Sequence, residues 1–276
     1  KRRWLVPKAQ GKDIGAFGLT EPNAGSDAGA TQSTAILEGD TWVINGTKQF
    51  ISNMGYKNSS LVIMTARCPQ FKRQDGKGII NTFIVTKGTP GFTISIHWDK
   101  MGFNSYPTNE LAFQDCRIPK DYLLGEEGRG FAQHLRILET GRIFVGAIAV
   151  GLAQACFNAS LSYAKQRYQF GQPIYNFQAV SFKLADMAMN IELARLMYLK
   201  AAQMKDKDLP HTLEAAYAKL FASEMSERVA SDAVQIHGGY GYMTDYPVSR
   251  YYKDAKLLQI VEGTSEIQRY VITRNL

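Results

Sequence analysis

Apolar positions divide the chain into two parts with different periods. After Gln178, Val180, Leu184, Met187, Ile191, Ala194, Tyr198 and Ala201 recur at steps of three and four, which puts them on one face of a helix. An Ala-rich stretch over residues 131–167 predicts a longer helix, with Arg167 in its last turn and Gly171 as the stop. A third helix is expected from about Thr212 to Ile236, ending at Gly238-Gly239, and a shorter one over residues 265–273. Before about residue 125 the pattern is one of short strands. Residues 41–44 and 47–51 flank Asn45-Gly46, a pair that tolerates positive φ, so a hairpin turn is predicted there. Residues 61–65 and 82–85 read as strands, the polar stretch 67–78 as the loop between them, and Thr89-Pro90-Gly91 as a turn before a strand over 92–96.

A β block followed by long helices predicts an α+β chain with segregated layers rather than a doubly wound sheet. The break falls near Leu124-Gly125-Glu126-Glu127-Gly128, dividing the chain into residues 1–125 and 126–276. A length of 276 residues suits one large or two smaller domains, and 45% hydrophobic with 21% charged residues is an ordinary globular balance. The net charge of +7 is spread among acids rather than gathered in one tract, so no nucleic acid is expected as a partner, while a polyanionic small ligand would use a few of these cations. No uninterrupted run of about 18 apolar residues occurs, so no membrane span is expected. Cys68, Cys116 and Cys156 are odd in number and far apart, which argues against a disulfide framework and a metal site. The chain opens Lys1-Arg2-Arg3-Trp4 without Met or a targeting segment, as a fragment of a longer protein would.

Taken singly, the candidate chemistry has ordinary readings. Thr20-Glu21-Pro22-Asn23-Ala24-Gly25-Ser26-Asp27 is a surface turn, or a loop whose Gly25 lets backbone approach an anion that Ser26 also meets. Phe50 suits a core, and Arg167-Tyr168-Gln169-Phe170-Gly171 suits a helix C-terminus. Glu139 and Arg142 suit a solvated helix face. His237, alone at a helix end, reads as structural. Glu262, before Gly263, reads as a loop acid.

Together these segments are more specific. Phe17-Gly18-Leu19-Thr20-Glu21-Pro22 with Ala24-Gly25-Ser26-Asp27, the Arg167–Ile174 motif R-x-x-F-G-x-x-I, and the run from Tyr252 to Arg269 containing Val261-Glu262-Gly263-Thr264 resemble the acyl-CoA dehydrogenases over essentially the whole chain. The resemblance implies a β-barrel-like or orthogonal β-sandwich middle domain (1–125) and an antiparallel four-helix-bundle C-terminal domain (126–276), with the family's N-terminal helical domain absent from this chain. It implies FAD as cofactor, held by Phe17, Leu19, Thr20, Gly25 and Ser26, with Phe50 on the flavin and Ile51 and Ser52 beside it. A second set would hold FAD, partly from a neighbouring subunit: Arg167, Gln169, Phe170, Phe177, Gln178, Gln235, Ile236, Gly238, Gly239, Thr264 and Glu266. That sharing implies a homotetramer, a dimer of dimers. Ser26, Glu139, Arg142, Val261 and Gly263 would contact the acyl-CoA substrate; Glu139 stands where the family has Asp. Glu262 would be the base, because Gly141 occupies the position that carries the base in the isovaleryl-type and long-chain branches; this is the short- and medium-chain pattern. Val261 is smaller than the Tyr common in medium-chain and glutaryl-CoA enzymes, leaving lateral room. The implied reaction is α,β-dehydrogenation to a trans-2-enoyl-CoA, with electrons passed to electron transfer flavoprotein, in the cytoplasm of a bacterium or the mitochondrial matrix of a eukaryote. Alternatives on the same scaffold are an acyl-CoA oxidase, an enoyl-CoA reductase, or a non-catalytic flavoprotein relative serving as an assembly factor or DNA-associated protein.

Overall fold

The computed structural model describes residues 3–276. The chain forms two compact units, one ending at Arg136 and one beginning at Ile137, with Met101–Phe103 grouped with the second. Its class is the mixed α+β expected, a curled sheet followed by helices.

In the first unit, α1 (Leu5–Ala9) precedes seven strands: β1 (Ile14–Gly18), β2 (Thr34–Glu38), β3 (Thr41–Ser52), β4 (Ser59–Lys72), β5 (Gly78–Thr86), β6 (Phe92–His97) and β7 (Thr108–Pro119). They make one sheet in the order β1-β4-β2-β3-β7-β6, with β5 on the other edge of β4. β1 and β2 share one edge of β4 in succession, both parallel to it, and the sheet curls around Trp42, Ile44, Val62, Met64, Phe83 and Leu111. The Trp42 and Phe83 rings meet edge-on at 5.0 Å, a favoured aromatic geometry.

Two strand expectations need correction. Asn45-Gly46 is not a turn, because β3 runs through it and the hairpin to β2 closes at Gly39-Asp40. Instead the pair runs opposite a bulge in β7, where Gln114 and Asp115 together face Asn45. The Asn45 side chain accepts from the Asp115 N–H at 2.8 Å. Gly46 has φ of 143°, and a Cβ there would lie 2.6 Å from Ser33 Cα. The tolerance of unusual φ that suits Gly46 to a hairpin turn also suits it to a strand passing this close to Ser33. The polar stretch 67–78 is likewise mostly strand, since β4 continues to Lys72 and pairs with β5.

The helical part comprises α2 (Gly130–Gln166), α3 (Gln178–Asp206), α4 (Thr212–His237), α5 (Gly239–Tyr242), α6 (Pro247–Leu257) and α7 (Ser265–Arg274). The periodic face predicted for α3 is the buried one: Leu184, Met187, Ile191, Ala194 and Ala201 face inward. The first four join Val150 and Ala153 of α2, Ala230 of α4 and Val248 of α6 in one core, while Ala201 packs with Ile143 and Ala215 in a smaller one. α4 ends where Gly238 takes φ of 60°, a left-handed stop that glycine adopts without strain. Gly171 is not such a stop. With Phe170 (φ 53°) it turns the hairpin β8 (Tyr168–Gln169) to β9 (Gln172–Pro173), the pair of positive φ values a two-residue hairpin needs.

α2 revises the expectation of no membrane-length helix. It is long and apolar enough to cross a bilayer by length and composition, with a mean hydropathy of 1.6 over its most apolar window. Ala149, Val150, Ala153 and Cys156 are nonetheless buried in the helical core, which is what a core helix looks like. Cys68, Cys116 and Cys156 are buried and unpaired, and among the described residues no cluster of His, Cys, Asp and Glu suits a metal ion.

Candidate active site

The loop after β1 is anchored from beneath. Glu21 accepts hydrogen bonds from Lys48 Nζ at 2.6 Å, the Gln32 N–H at 2.6 Å and the Thr31 hydroxyl. Lys48 also donates to the Leu19 carbonyl and the Thr65 hydroxyl, each at 3.2 Å. Burial pushes the Glu21 carboxyl up, but the Lys48 charge and these hydrogen bonds prevail and hold it at about 2. The Gln49 N–H donates to the Thr20 carbonyl at 2.8 Å, which ties the loop to β3. Above this anchor Gly25 and Ser26 are exposed, with open space beside Gly25. Phe50 (φ 58°) presents its ring at 57% exposure, 5.6 Å from Trp98, and Ser52 is half-buried. Ile51 and Leu19 are buried, which leaves mainly their main chain for a ligand. The Phe17 ring lies against His134 at a tilt, the ring centres 4.6 Å apart. His134 is fully buried, bonded to Thr82 and Gly130 through Nδ1, and burial lowers it to about 4; its Nε2 has no protein partner.

In the helical unit, Arg167, Gln169, Ile236, Gly238 and Gly239 line one cleft of about 480 Å³ with Tyr163, His237 and Tyr240. Residues separated by some 70 positions in sequence thus meet in one cleft. Gln178 and Gln235 are exposed outside its lining. Phe170 is 91% exposed and packs edge-on to Phe177 at 6.1 Å. His237 is structural: its Nδ1 bonds the Ala233 carbonyl at 2.8 Å and its ring stacks on Tyr163 at 4.3 Å.

The turn between α6 and α7 carries Glu262 in the left-handed region, φ 56°, followed by Gly263 at 88°. Thr264 caps α7, accepting from the Ile267 N–H at 3.3 Å, and Glu266 lies exposed in that first turn. The Glu262 carboxylate lies against Gly141 of α2: a Cβ at Gly141 would be 2.4 Å from Oε2. That oxygen is buried and has no hydrogen-bond partner. Burial raises the Glu262 carboxyl above the ordinary range, opposed by Arg142 and then Lys219. Arg142 is buried with its Nε unpartnered. Glu139 is engaged elsewhere, accepting from Thr212 Oγ1 at 2.7 Å. Val261 packs at the edge of the helical core.

Lys219 and Gln268 escaped sequence reasoning. Lys219 Nζ donates to the Gly263 carbonyl at 2.8 Å, and Gln268 Nε2 donates to the Glu262 and Gly263 carbonyls at 3.1 and 2.8 Å. One signal was present: Lys219 shares a helical face with Ala215, Ala222 and Ser226, all buried, and a cation on a small-residue face is out of place on a solvated surface.

Comparison with known proteins gives these sites a family. The family model for the acyl-CoA dehydrogenase C-terminal domain matches residues 128–276, and that for the middle domain matches residues 16–116. The chain belongs to the acyl-CoA dehydrogenase family, a family of flavoprotein oxidoreductases. Among its relatives, the probable acyl-CoA dehydrogenase YngJ of Bacillus subtilis is 56% identical over 276 residues, all of this chain and 72% of that protein. The butyryl-CoA dehydrogenase structure from Megasphaera elsdenii is 47% identical with a TM-score of 0.94, over 99% of this chain and 70% of that one. A chain in a structure of the electron transferring flavoprotein of Acidaminococcus fermentans, solved toward a mechanism of flavin-based electron bifurcation, is 45% identical with a TM-score of 0.94, over 99% and 71%. The chain spans 66 to 72% of the length of the curated relatives it matches first.

Proposed function

We propose that this chain is the middle and C-terminal part of an FAD-dependent acyl-CoA dehydrogenase that converts a short acyl-CoA to its trans-2-enoyl-CoA, with Glu262 removing the α proton. The observation that carries the reading is the Glu262 carboxylate itself, one oxygen buried and unpartnered beside Gly141, its proton affinity raised by burial. Such a group is a stronger base than a solvated carboxylate. Arg142 and Lys219 oppose protonation and keep it able to accept. Gly141 leaves the room the carboxylate occupies, and itself has no side chain to act.

The residues fit the cofactor. The anchored loop offers open backbone at Gly25 and the Ser26 hydroxyl, and Phe50 offers an exposed ring face. Arg167 and the Gly238-Gly239 main chain give the helical cleft a polar edge suited to an anion such as pyrophosphate. When bound, FAD supplies the acceptor for the substrate's β hydride. The helical cleft would serve a neighbouring subunit's cofactor in a homotetramer. Electron transfer flavoprotein as acceptor is supported by the Acidaminococcus likeness. A short acyl group is supported by the Megasphaera likeness.

The test is E262Q in the full-length protein. Turnover of butyryl-CoA should be lost while flavin content is retained. Anaerobic flavin bleaching by butyryl-CoA at more than a few per cent of the normal rate would mean that another group removes the proton.

A further inference from the structure

The turn that presents Glu262 is held at its carbonyls by two fully buried side chains. Gln268, from α7, spans both carbonyls of the turn, while Lys219 reaches the Gly263 carbonyl from α4 across 44 positions of sequence. A buried ammonium is costly unless something offsets its lost hydration. Here one carbonyl and the surrounding carboxylates do so: its charge is attracted by Glu262, Glu266 and Glu224 and repelled by Arg142. Two consecutive residues with positive φ, one of them a glutamate, persist only where neighbours hold them.

We propose that Lys219 is a positioning residue for the reaction: through the Gly263 carbonyl it fixes the left-handed turn that presents Glu262, and it sets a buried cation behind that base. This rests on the reading of Glu262 as the base. The charged groups acting on Glu262 are Arg142 from α2 and Lys219 from α4, and Arg142 is itself drawn toward Glu139. Burial raises Glu262, and removing one of the two cations raises it further. Burial brings Lys219 itself down to about 8 against the pull of Glu262, so the ammonium is present at neutral pH.

The experiment uses the full-length holoenzyme with K219M and Q268M. K219M loses the charge and should move the acid limb of the kcat/KM profile for butyryl-CoA up by about one pH unit. Q268M keeps the charge and should lower kcat without moving that limb. Infrared difference spectra, with the Glu262 band assigned by its loss in E262Q, should show an ionised carboxylate at pH 7 in the wild type and less of it in K219M. An unmoved acid limb in folded, flavin-replete K219M overturns the proposal. Should K219M fail to fold, K219Q, which retains a donor for Gly263, carries the same test. If neither accumulates as holoenzyme, Lys219 is a folding residue and the proposal falls. An active E262Q would remove the base reading itself, whereas an inactive E262Q with an unmoved limb in K219M removes Lys219 alone.

Discussion

Glu21 and Glu262 both sit in loops of the motifs that carry the family resemblance, and the fold treats their carboxylates in opposite ways. Glu21 is 4% exposed, and each of its oxygens accepts hydrogen bonds, one of them from a buried ammonium. Glu262 sits on a strained backbone with Oε2 buried and unpartnered, and the two cations acting on it do not offset its burial. The first is held at about 2 and the second is raised. A satisfied carboxylate fixes a loop; one left with unused acceptor capacity and raised proton affinity is suited to chemistry.

The largest test of this contrast is K48M. It strands Glu21 without its cation, and breaking a buried pair from one side costs about 3–5 kcal/mol, read by urea unfolding. E262Q breaks no such pair and should cost far less; equal losses would erase the distinction between the two sites. G141A probes the other side. Its Cβ would lie 2.4 Å from Glu262 Oε2, and the flexible carboxylate yields rather than the backbone. Stability should change little, whereas a displaced base should lower kcat/KM about a hundredfold, the scale of an ångström's misplacement. Unchanged kcat/KM would show that the carboxylate does not work from this position.

The smallest effect is in the pH dependence of stability, and the two groups have opposite signs. Glu21 is depressed from an unfolded value near ~4.3 to about 2. The folded state then binds fewer protons, so its stabilisation is present above ~4.3 and is lost as pH falls toward 2. Glu262 is raised, so its ionisation weakens the folded state as pH rises above ~4.3. Melting temperature against pH should show an acid limb that the double replacement E21Q/K48M flattens. E262Q should melt no lower than wild type at pH 7, and a clear drop there would contradict the sign assigned to Glu262.

Local signals carried far in the helices. The α3 face from Leu184 to Ala201 and the stop at Gly238 are set by a helical period and a backbone preference, both readable within a few residues. They carried less well in the sheet. Asn45-Gly46 suits a turn or a strand facing a bulge, and only the approach of Ser33 and of the bulged Asp115 in β7 selects the strand. The candidate site divides in the same way. Glu262, Arg142 and Arg167 stand out through their motifs, and the fold gathers Arg167 with Gly238 and Gly239 in one cleft. Lys219 was not legible as part of the site, because a lysine in a helix reads as solvated until the fold buries it.

The sequence by itself determined the α+β order, the helical periods and which residue types stand in the two motif loops. Tertiary structure alone decided that Glu21 would meet Lys48 across 27 positions, and that Glu262 would lie against Gly141 with one oxygen unpartnered. The reason is physical. Helical period is a property of neighbours along the chain, whereas proton affinity depends on burial and charge among groups that only folding brings together.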